Sequence, residues 1–328
     1  MYPIGIPNCY NKTMEKFSSL DRFIDKKTTK EDAKILLADI STDLTLKGKE
    51  PLDYEIEKSS EQIEICNILN DYTNKILNKY GIDNFDISPD NIHIFDSRLQ
   101  SEGMDIGGQF IAEDQSILVR NSGNKLSFAH YLSHEIIHLK SHGTVQVIRE
   151  NSESFDLDFG YRSGFKMKSR DGKREFFHKI DEALTEELSK EITQDIKKNN
   201  NPIFQNQIKE TDEVCEGFFV ASGSEDIVYA ERFKDDDPRK GEYLVFAEEY
   251  AYVEERRILK LLIAKICQKT ERNYREIFEL FVKGKLKGNI FELAKLIDAN
   301  FGEGTFRKLG EVSNLDDNKE FDNFVQEL

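Results

Sequence analysis

The stretch HEIIH, residues 134 to 138, constrains this chain more than any other. It lies within KLSFAHYLSHEIIHLKSHG, where apolar residues at helical spacing predict a helix over residues 125 to 142 that closes at the next glycine. Positions four apart share one face of an α-helix, so His134 and His138 point the same way. Two such imidazoles can bind one Zn²⁺, and Glu135 beside them can accept a proton from a metal-activated water. The stretch therefore predicts a zinc site on a helix.

Two further histidines, His130 and His142, continue the same face at steps of four. Eight residues of helix already span roughly 12 Å, whereas the ligands of one zinc all lie about 2 Å from it. The four histidines therefore cannot all bind one ion. Because Glu135 lies next to His134, the pair at 134 and 138 is favoured, and the outer two are interpreted as residues of the cleft lining or the helix end.

The composition indicates a folded protein and argues against nucleic acid or an anionic membrane as a partner. The chain has 328 residues, of which 38% are hydrophobic and 33% charged, enough for one large domain or two lobes with a sizeable core. Its 46 Lys and Arg against 62 Asp and Glu give a net charge of −16, and no long basic run offsets it. This charge argues against binding of nucleic acid or an anionic membrane through bulk electrostatics.

Cysteine usage and the chain start predict a soluble, cytoplasmic protein. The four cysteines are far apart and form no C-x-x-C pair, which is typical of reduced side chains; they are Cys9, Cys66, Cys215 and Cys267. The N-terminal stretch lacks the basic and apolar regions of a secretion signal. The longest apolar run, residues 258 to 266, contains two lysines and is too short to span a bilayer.

Hydrophobic periodicity predicts an α+β chain. A helix is expected over residues 60 to 80, followed by short strands within residues 91 to 120. After the HEIIH helix, alternating residues predict antiparallel strands, and a second amphipathic helix begins near Phe177. The last third of the chain, after an irregular stretch, is predominantly helical.

A catalytic zinc typically keeps three protein ligands, so a third must come from elsewhere in the chain. The metzincin extension, which supplies a third histidine, would need Gly at 141 and His at 144, and this chain has Ser141 and Thr144. The best remaining source is the stretch IDEALTEE, residues 180 to 187, on the second helix. Its polar face carries Glu182 and Glu186 at a step of four.

With these two helices the sequence resembles the gluzincins, the thermolysin-like class of HExxH zinc metallopeptidases. The resemblance implies that Glu182 is the third zinc ligand and that Glu186 accepts the second N–H of a zinc-bound imidazole. Asp181 stands where the family often has Asn. Glu187 points about 100° around the helix from Glu186 and is the weaker candidate. The resemblance covers only these helices and the segment between them.

The resemblance also implies a fold. A zincin-like protein has a small antiparallel sheet over the active-site helix and a mostly helical second lobe. On that basis residues 1–85 are predicted as an N-terminal helical region and residues 86–200 as the zincin-like catalytic core. Residues 201–328 follow as an irregular connection and a C-terminal helical lobe.

The implied activity is zinc-dependent hydrolysis of peptide bonds, with Glu135 as the base and a peptide or protein substrate as the partner. Such enzymes also use a hydrogen-bond donor for the transition state, and the sequence offers six candidates: Tyr161, Arg162, His178, Tyr229, Tyr250 and Tyr252. Two alternatives stay open, a regulatory protease with one dedicated protein substrate and a non-catalytic zincin-fold module that binds a partner. If HEIIH is accidental, metal analysis will find no zinc.

Overall fold

The computed structural model describes residues 55–96, 107–111, 116–149, 157–169, 174–217, 227–232, 245–315 and 317–328. Most of the predicted N-terminal region, residues 1–54, lies outside these ranges. Helices and short strands make the described chain an α+β protein, so the predicted fold class is confirmed at that level. None of the described helices is long and apolar enough to cross a membrane.

The α-helices of the described chain are, in order, α1 (Ser60–Lys79), α2 (Lys125–Lys140), α3 (His178–Lys198), α4 (Gln205–Gly217), α5 (Val253–Thr270), α6 (Tyr274–Lys287), α7 (Phe291–Phe301), α8 (Thr305–Val312) and α9 (Asn318–Glu327). The strands are β1 (Ile92–Phe95), β2 (Gly108–Ile111), β3 (Ser116–Arg120), β4 (Gly143–Arg149), β5 (Leu157–Ser163), β6 (Lys166–Lys168), β7 (Glu175–Phe176), β8 (Ile227–Arg232) and β9 (Val245–Glu249).

The strands form three small sheets. One has the order β1-β3-β2, the second is the antiparallel series β4-β5-β6-β7, and β8 pairs with β9. The prediction of an antiparallel sheet is wrong for the first of these, because β1 runs parallel to β3 while β2 runs antiparallel to it. Strand β3 lies between the other two, and the periodicity of single strands does not encode this order.

Helix α2 is set by local hydrogen bonds at both ends. The side chain of Asn124 caps its start by accepting from the backbone N–H of Leu126 and of Ser127. The predicted end at residue 142 is two residues too late, because Ser141 is extended (φ −68°, ψ 161°) and its hydroxyl donates to the carbonyl of Ile137 at 2.7 Å. Gly143, expected to close the helix, is instead the first residue of β4.

A buried lysine joins α2 to α1. Lys140 is 1% exposed, and its Nζ donates to Thr73 Oγ1 at 2.7 Å and to Asn74 Oδ1 at 2.9 Å. Burial lowers the pKa of Lys140 to about 8. Both of these partners lie on α1, so the Lys140 side chain points away from α3, the helix that carries Glu182 and Glu186.

Helix α3 belongs to two hydrophobic cores at once. Its C-terminal half, including Leu188 and Ile192, packs into a core formed with α1, α2 and the first sheet. Its N-terminal half, including Ile180 and Leu184, packs into a second core formed with the C-terminal helices. The acidic face of α3 is thereby held between α2 and the C-terminal helices. The predicted division of the chain at residue 200 stays a prediction.

Candidate metal centre

Helices α2 and α3 pack antiparallel and meet through polar side chains on successive turns. At one end His130 Nε2 lies 3.0 Å from Glu186 Oε1. One turn along, His134 contacts both Glu186 and Glu182. At the other end, His138 Nε2 lies 3.2 Å from Glu182 Oε2. The four-residue steps of the two helices therefore match each other turn by turn.

Three of these side chains converge on one point. His134 Nε2, His138 Nε2 and Glu182 Oε2 are each 3.2 Å from the other two atoms. Ligand atoms bound at 2.0–2.1 Å in a tetrahedral zinc site lie about 3.3 Å apart. The observed spacing thus fits three ligands of one metal ion, and among the described residues the group has no fourth His, Cys, Asp or Glu. All three residues are buried, and together they could hold a metal ion.

The other ring nitrogens of the histidines determine where their lone pairs point. His134 Nδ1 lies 2.8 Å from Glu186 Oε2, and His138 Nδ1 lies 3.3 Å from Asp181 Oδ2. A carboxylate accepts only, so each Nδ1 carries the proton and donates it. In the neutral imidazole this leaves the Nε2 lone pair free. Two nitrogen lone pairs then face a carboxylate oxygen at 3.2 Å, an arrangement that a cation between them stabilises.

The carboxylates of the site are held in their charged form. Burial alone raises the pKa of Glu182, but His138 and His134 more than offset it and hold that pKa well below its usual range. Burial likewise raises the pKa of Glu186, and His130 and His134 reverse the direction. Three buried carboxylates, including that of Asp181, therefore surround the two histidine rings.

The pKa values of His134 and His138 shift in the opposite direction, upward. Burial lowers the pKa of His134, yet its hydrogen bonds to Glu182 and Glu186 raise it well above the ordinary value. The pKa of His138 is also raised, since the effect of Glu182 and Asp181 exceeds that of burial and of Lys285. The electrostatic field of the carboxylates thus favours positive charge at the point where the ring nitrogens meet.

Glu135 lies on the other side of the histidines, against the edge strand β2. It is 7% exposed, and its carboxylate accepts a hydrogen bond from the backbone N–H of Phe110. A Cβ added at Gly108 would lie 2.8 Å from Glu135 Cγ, so the glycine permits this close approach. Burial raises the pKa of Glu135, and the neighbouring His134 and His138 lower it, with a net upward shift.

A short segment between β9 and α5 borders the site. The backbone N–H of Ala251 donates to Glu186 Oε1 at 2.6 Å. The ring of Tyr252 stacks on that of His134, with centroids 5.7 Å apart and planes 16° from parallel. Tyr252 has a left-handed backbone (φ 55°, ψ 40°), which costs energy for a residue with a Cβ. The surrounding contacts hold it there.

The hydroxyl of Tyr252 faces Glu182, a member of the candidate metal-binding group. It donates to the carboxylate of Glu182, and Glu135 is also close enough to act on it. Partial burial, followed by the charges of Glu182 and Glu135, raises the pKa of Tyr252 far above its ordinary value. The phenol is therefore a protonated hydrogen-bond donor at every ordinary pH, and the residue as a whole is 38% exposed.

The other candidate donors are placed differently. Arg162 donates to the carbonyls of Gly164, Gly284 and Gly288 and so joins the turn after β5 to α6 and the residue that follows it. His178 Nδ1 lies 3.6 Å from Glu182 Oε1, at the outer side of that carboxylate.

Two of the three remaining tyrosines pack away from His134, His138 and Glu182. Tyr250 packs edge-on against His130 at 4.9 Å, and Tyr229 belongs to the core around α1 and α2. The side chain of Tyr161 lies outside the described residues.

His130 and His142 also occupy specific places. His130, interpreted as a cleft or helix-end residue, is 3% exposed and lies behind the site, with Nδ1 3.0 Å from Ser189 Oγ. The interpretation of His130 as a cleft or helix-end residue is wrong, because the ring is buried within α2 and its Nε2 donates to Glu186 Oε1. His142 does lie past the end of α2, where its backbone N–H donates to the carbonyl of Lys285.

Asp181 and Lys285 are site residues that the sequence did not single out as a pair. Asp181 Oδ1 lies 2.8 Å from Lys285 Nζ, and Oδ2 faces His138. Burial raises the pKa of Asp181, but Lys285 and His138 more than offset it and lower the pKa to about 2. No short-range sequence signal could have joined residues 104 positions apart.

The arrangement combines a place for one metal ion, a buried carboxylate and a phenol donor around one point. Such groups can support metal-assisted hydrolysis. Comparisons of the chain with protein families, with curated proteins and with solved structures found no match.

Proposed function

We propose that this protein is a zinc-dependent peptidase of the gluzincin type that hydrolyses peptide bonds with a metal-activated water. The observation that carries the proposal is the convergence of His134, His138 and Glu182 at 3.2 Å from one another, with Glu135 next to them. The sequence resemblance names the same four residues for the same roles. The geometry and the resemblance support the same site.

The ligand types favour zinc in a catalytic setting. Two imidazoles and one carboxylate are a common ligand set of catalytic zinc, whereas structural zinc sites are closed and rich in cysteine. A zinc ion held by these residues supplies Lewis-acid polarisation of a carbonyl and a water of lowered pKa.

Glu135 would carry the proton. Its carboxylate accepts a proton from the attacking water and delivers it to the amine nitrogen that leaves. The Phe110 N–H restrains the carboxylate, and the close approach of β2 shields it from bulk water. These two contacts position the base without neutralising it.

Glu186 and Asp181 would maintain the ligand geometry. Each accepts the Nδ1–H of one histidine and so presents Nε2 of His134 or His138 to the metal position. Glu186 is itself oriented by His130 and by the Ala251 N–H. The carboxylates of Glu186 and Asp181 thus fix the orientation of the two histidine rings.

The zincin-like fold belongs to the same proposal. Its support is the position of β2 along α2 on one side of the site and of the α5 start on the other. A cytoplasmic setting is proposed on the cysteine content alone.

The test of the function is cleavage of a broad peptide library by the zinc-loaded protein and by the same protein treated with a chelator. We expect cleavage only in the zinc-loaded sample and its return when zinc is added back. Zinc bound at one equivalent without cleavage of any library member would contradict a general peptidase and favour a dedicated protease or a binding module.

Tyr252 is the donor that the geometry favours for the developing oxyanion. Its hydroxyl already donates to the ligand Glu182, stays protonated, and lies on an exposed segment beside the metal position. A substrate carbonyl bound at the open side would meet this hydroxyl, and the strained backbone of Tyr252 holds the ring in place.

Replacing Tyr252 with Phe should lower kcat by about 10²–10³-fold, the usual cost of removing one oxyanion donor. The variant also loses the hydrogen bond to Glu182, so zinc affinity should fall by up to about 10–100-fold, and kcat is therefore measured at saturating zinc. Steady-state kinetics with a cleaved library peptide measure the effect. Tyr229→Phe, a change in the core near α1, is the matched control. Equal kcat in Tyr252→Phe and wild type would limit Tyr252 to a packing role.

A further inference from the structure

A fully buried ion pair connects the C-terminal helices to the candidate metal centre. Lys285 Nζ, on α6, lies 2.8 Å from Asp181 Oδ1, on α3, and the two side chains are 0% and 1% exposed. The other oxygen of the same carboxylate, Oδ2, lies 3.3 Å from His138 Nδ1. Asp181 therefore bridges a lysine of one helix and a metal-site histidine of another.

Backbone packs tightly around this pair. The N–H of Phe165 donates to Asp181 Oδ1 at 2.7 Å. Gly164 has φ +58°, and a Cβ there would lie 2.3 Å from Asp181 Oδ1 and 3.0 Å from Lys285 Nζ. Arg162 ties the same turn to α6 by donating to the carbonyls of Gly164 and Gly284. The turn between β5 and β6 thus encloses the carboxylate and the ammonium together.

The carboxylate needs both of its oxygens. Oδ1 accepts from Phe165 N–H and Lys285, while Oδ2 accepts from His138. An amide at this position offers one acceptor oxygen and could not serve both sides. A carboxylate can, but it carries a charge into a buried site, and a buried charge without a partner is strongly unfavourable. Lys285 is the partner.

We infer that Lys285 is a positioning residue of the metal centre: it neutralises and orients Asp181, which in turn holds His138 with Nε2 toward the metal. The inference rests on the proposed role of His134, His138 and Glu182 as metal ligands. It makes the docking of α6 and the binding of metal mutually dependent. The C-terminal helices are then part of the site, although none of their residues is a ligand.

A purely structural role for the ion pair makes a different prediction. If Lys285 only attached α6 to α3, its loss would destabilise the metal-free and metal-loaded protein equally and leave metal affinity unchanged. If it acts through Asp181 on His138, its loss weakens metal binding, because partners that orient metal ligands typically contribute about 10–100-fold in affinity. Metal affinity therefore separates the two roles.

The experiment measures the zinc dissociation constant of full-length wild type, Lys285→Met and Asp181→Asn by competition with a chromophoric chelator. The visible absorption of the Co²⁺-loaded proteins reports the ligand geometry. We expect about 10–100-fold weaker zinc binding in each variant and an altered Co²⁺ spectrum. The double variant should bind no more weakly than the weaker single one, because both changes break the same contact chain.

Lys140→Met is the matched control. Lys140 is equally buried and hydrogen-bonded, but its partners Thr73 and Asn74 lie on α1, away from the ligands. It should lower stability and leave zinc affinity within about twofold of wild type. If Lys285→Met does not fold, Lys285→Gln, which keeps a donor but no charge, replaces it with the same expected loss.

Zinc affinity in the Lys285 variants equal to that of Lys140→Met would overturn the inference, as would additive losses in the double variant. Failure of wild type to bind zinc is a separate result, because it would remove the proposed function itself. Tight binding by wild type and by the Lys285 variants alike would remove only the role of Lys285.

Discussion

Glu135→Gln should abolish peptide hydrolysis while zinc stays bound. The amide has nearly the shape of the carboxylate and keeps an oxygen that can accept from Phe110 N–H. It cannot take a proton from water or return one to the leaving amine, so kcat should fall by about 10²–10⁴-fold, the range typical of a lost general base. The measurement is kcat on a cleaved peptide, with zinc content determined in the same samples.

Glu187→Gln is the control for this change. Glu187 lies on α3 next to Glu186, yet its carboxylate pairs with Arg256 at 2.7 Å and Lys260 at 3.1 Å rather than with the site. Its kcat should stay within a few-fold of wild type. A Glu135→Gln protein with undiminished activity would remove Glu135 as the base, whatever the zinc content.

Glu182→Gln should lose most of the metal affinity. Structural zinc binding by four ligands amounts to about 10–16 kcal/mol, so one ligand corresponds to roughly 3–4 kcal/mol, or about 10²–10³-fold in affinity. Because ligand binding raises the free energy of unfolding by RT ln(1 + [L]/Kd), the stabilisation produced by saturating zinc should fall by roughly 3–4 kcal/mol. Chelator competition and zinc-dependent Tm shifts both measure the effect.

Glu186→Gln provides the comparison for the third ligand. Its carboxylate lies behind His134 and contacts the imidazole rather than the metal position. Its loss should cost about 10–100-fold in affinity, less than the loss of Glu182. If Glu186→Gln weakens zinc binding more than Glu182→Gln, the assignment of ligand and orienting residue is reversed.

The part of the site that the sequence predicts depends on helical spacing alone. His134 and His138 are one turn apart on one helix, so no knowledge of the fold is needed to bring their rings together. Glu182 required the resemblance, because spacing does not distinguish it from Glu186 or Glu187 on the same helix. The structure separates these three carboxylates by the partners that they meet.

The rest of the site depends on contacts between distant segments. Asp181 meets Lys285 across 104 residues, and Tyr252 reaches His134 only because its backbone is left-handed at the start of α5. His130 lies behind the site because α3 runs antiparallel to α2 and brings Glu186 to it. Local patterns carry none of this information, since each depends on the packing of one element against another.

The fold shows the same division between local and non-local information. The bounds of α2 and the start of α3 were predicted to within two residues, because capping and periodicity are local. The parallel pairing of β1 with β3 was not predicted, because strand order depends on how the chain returns to the sheet.

The most direct test of the central claim is the zinc content of the wild-type protein after equilibrium dialysis. The described residues contain one group of three clustered ligands, so we predict one zinc ion per chain. In the same dialysis a His134→Ala/His138→Ala protein should hold none. Wild-type protein that takes up no zinc, or a double variant that still binds one equivalent, would contradict a metal site formed by His134, His138 and Glu182.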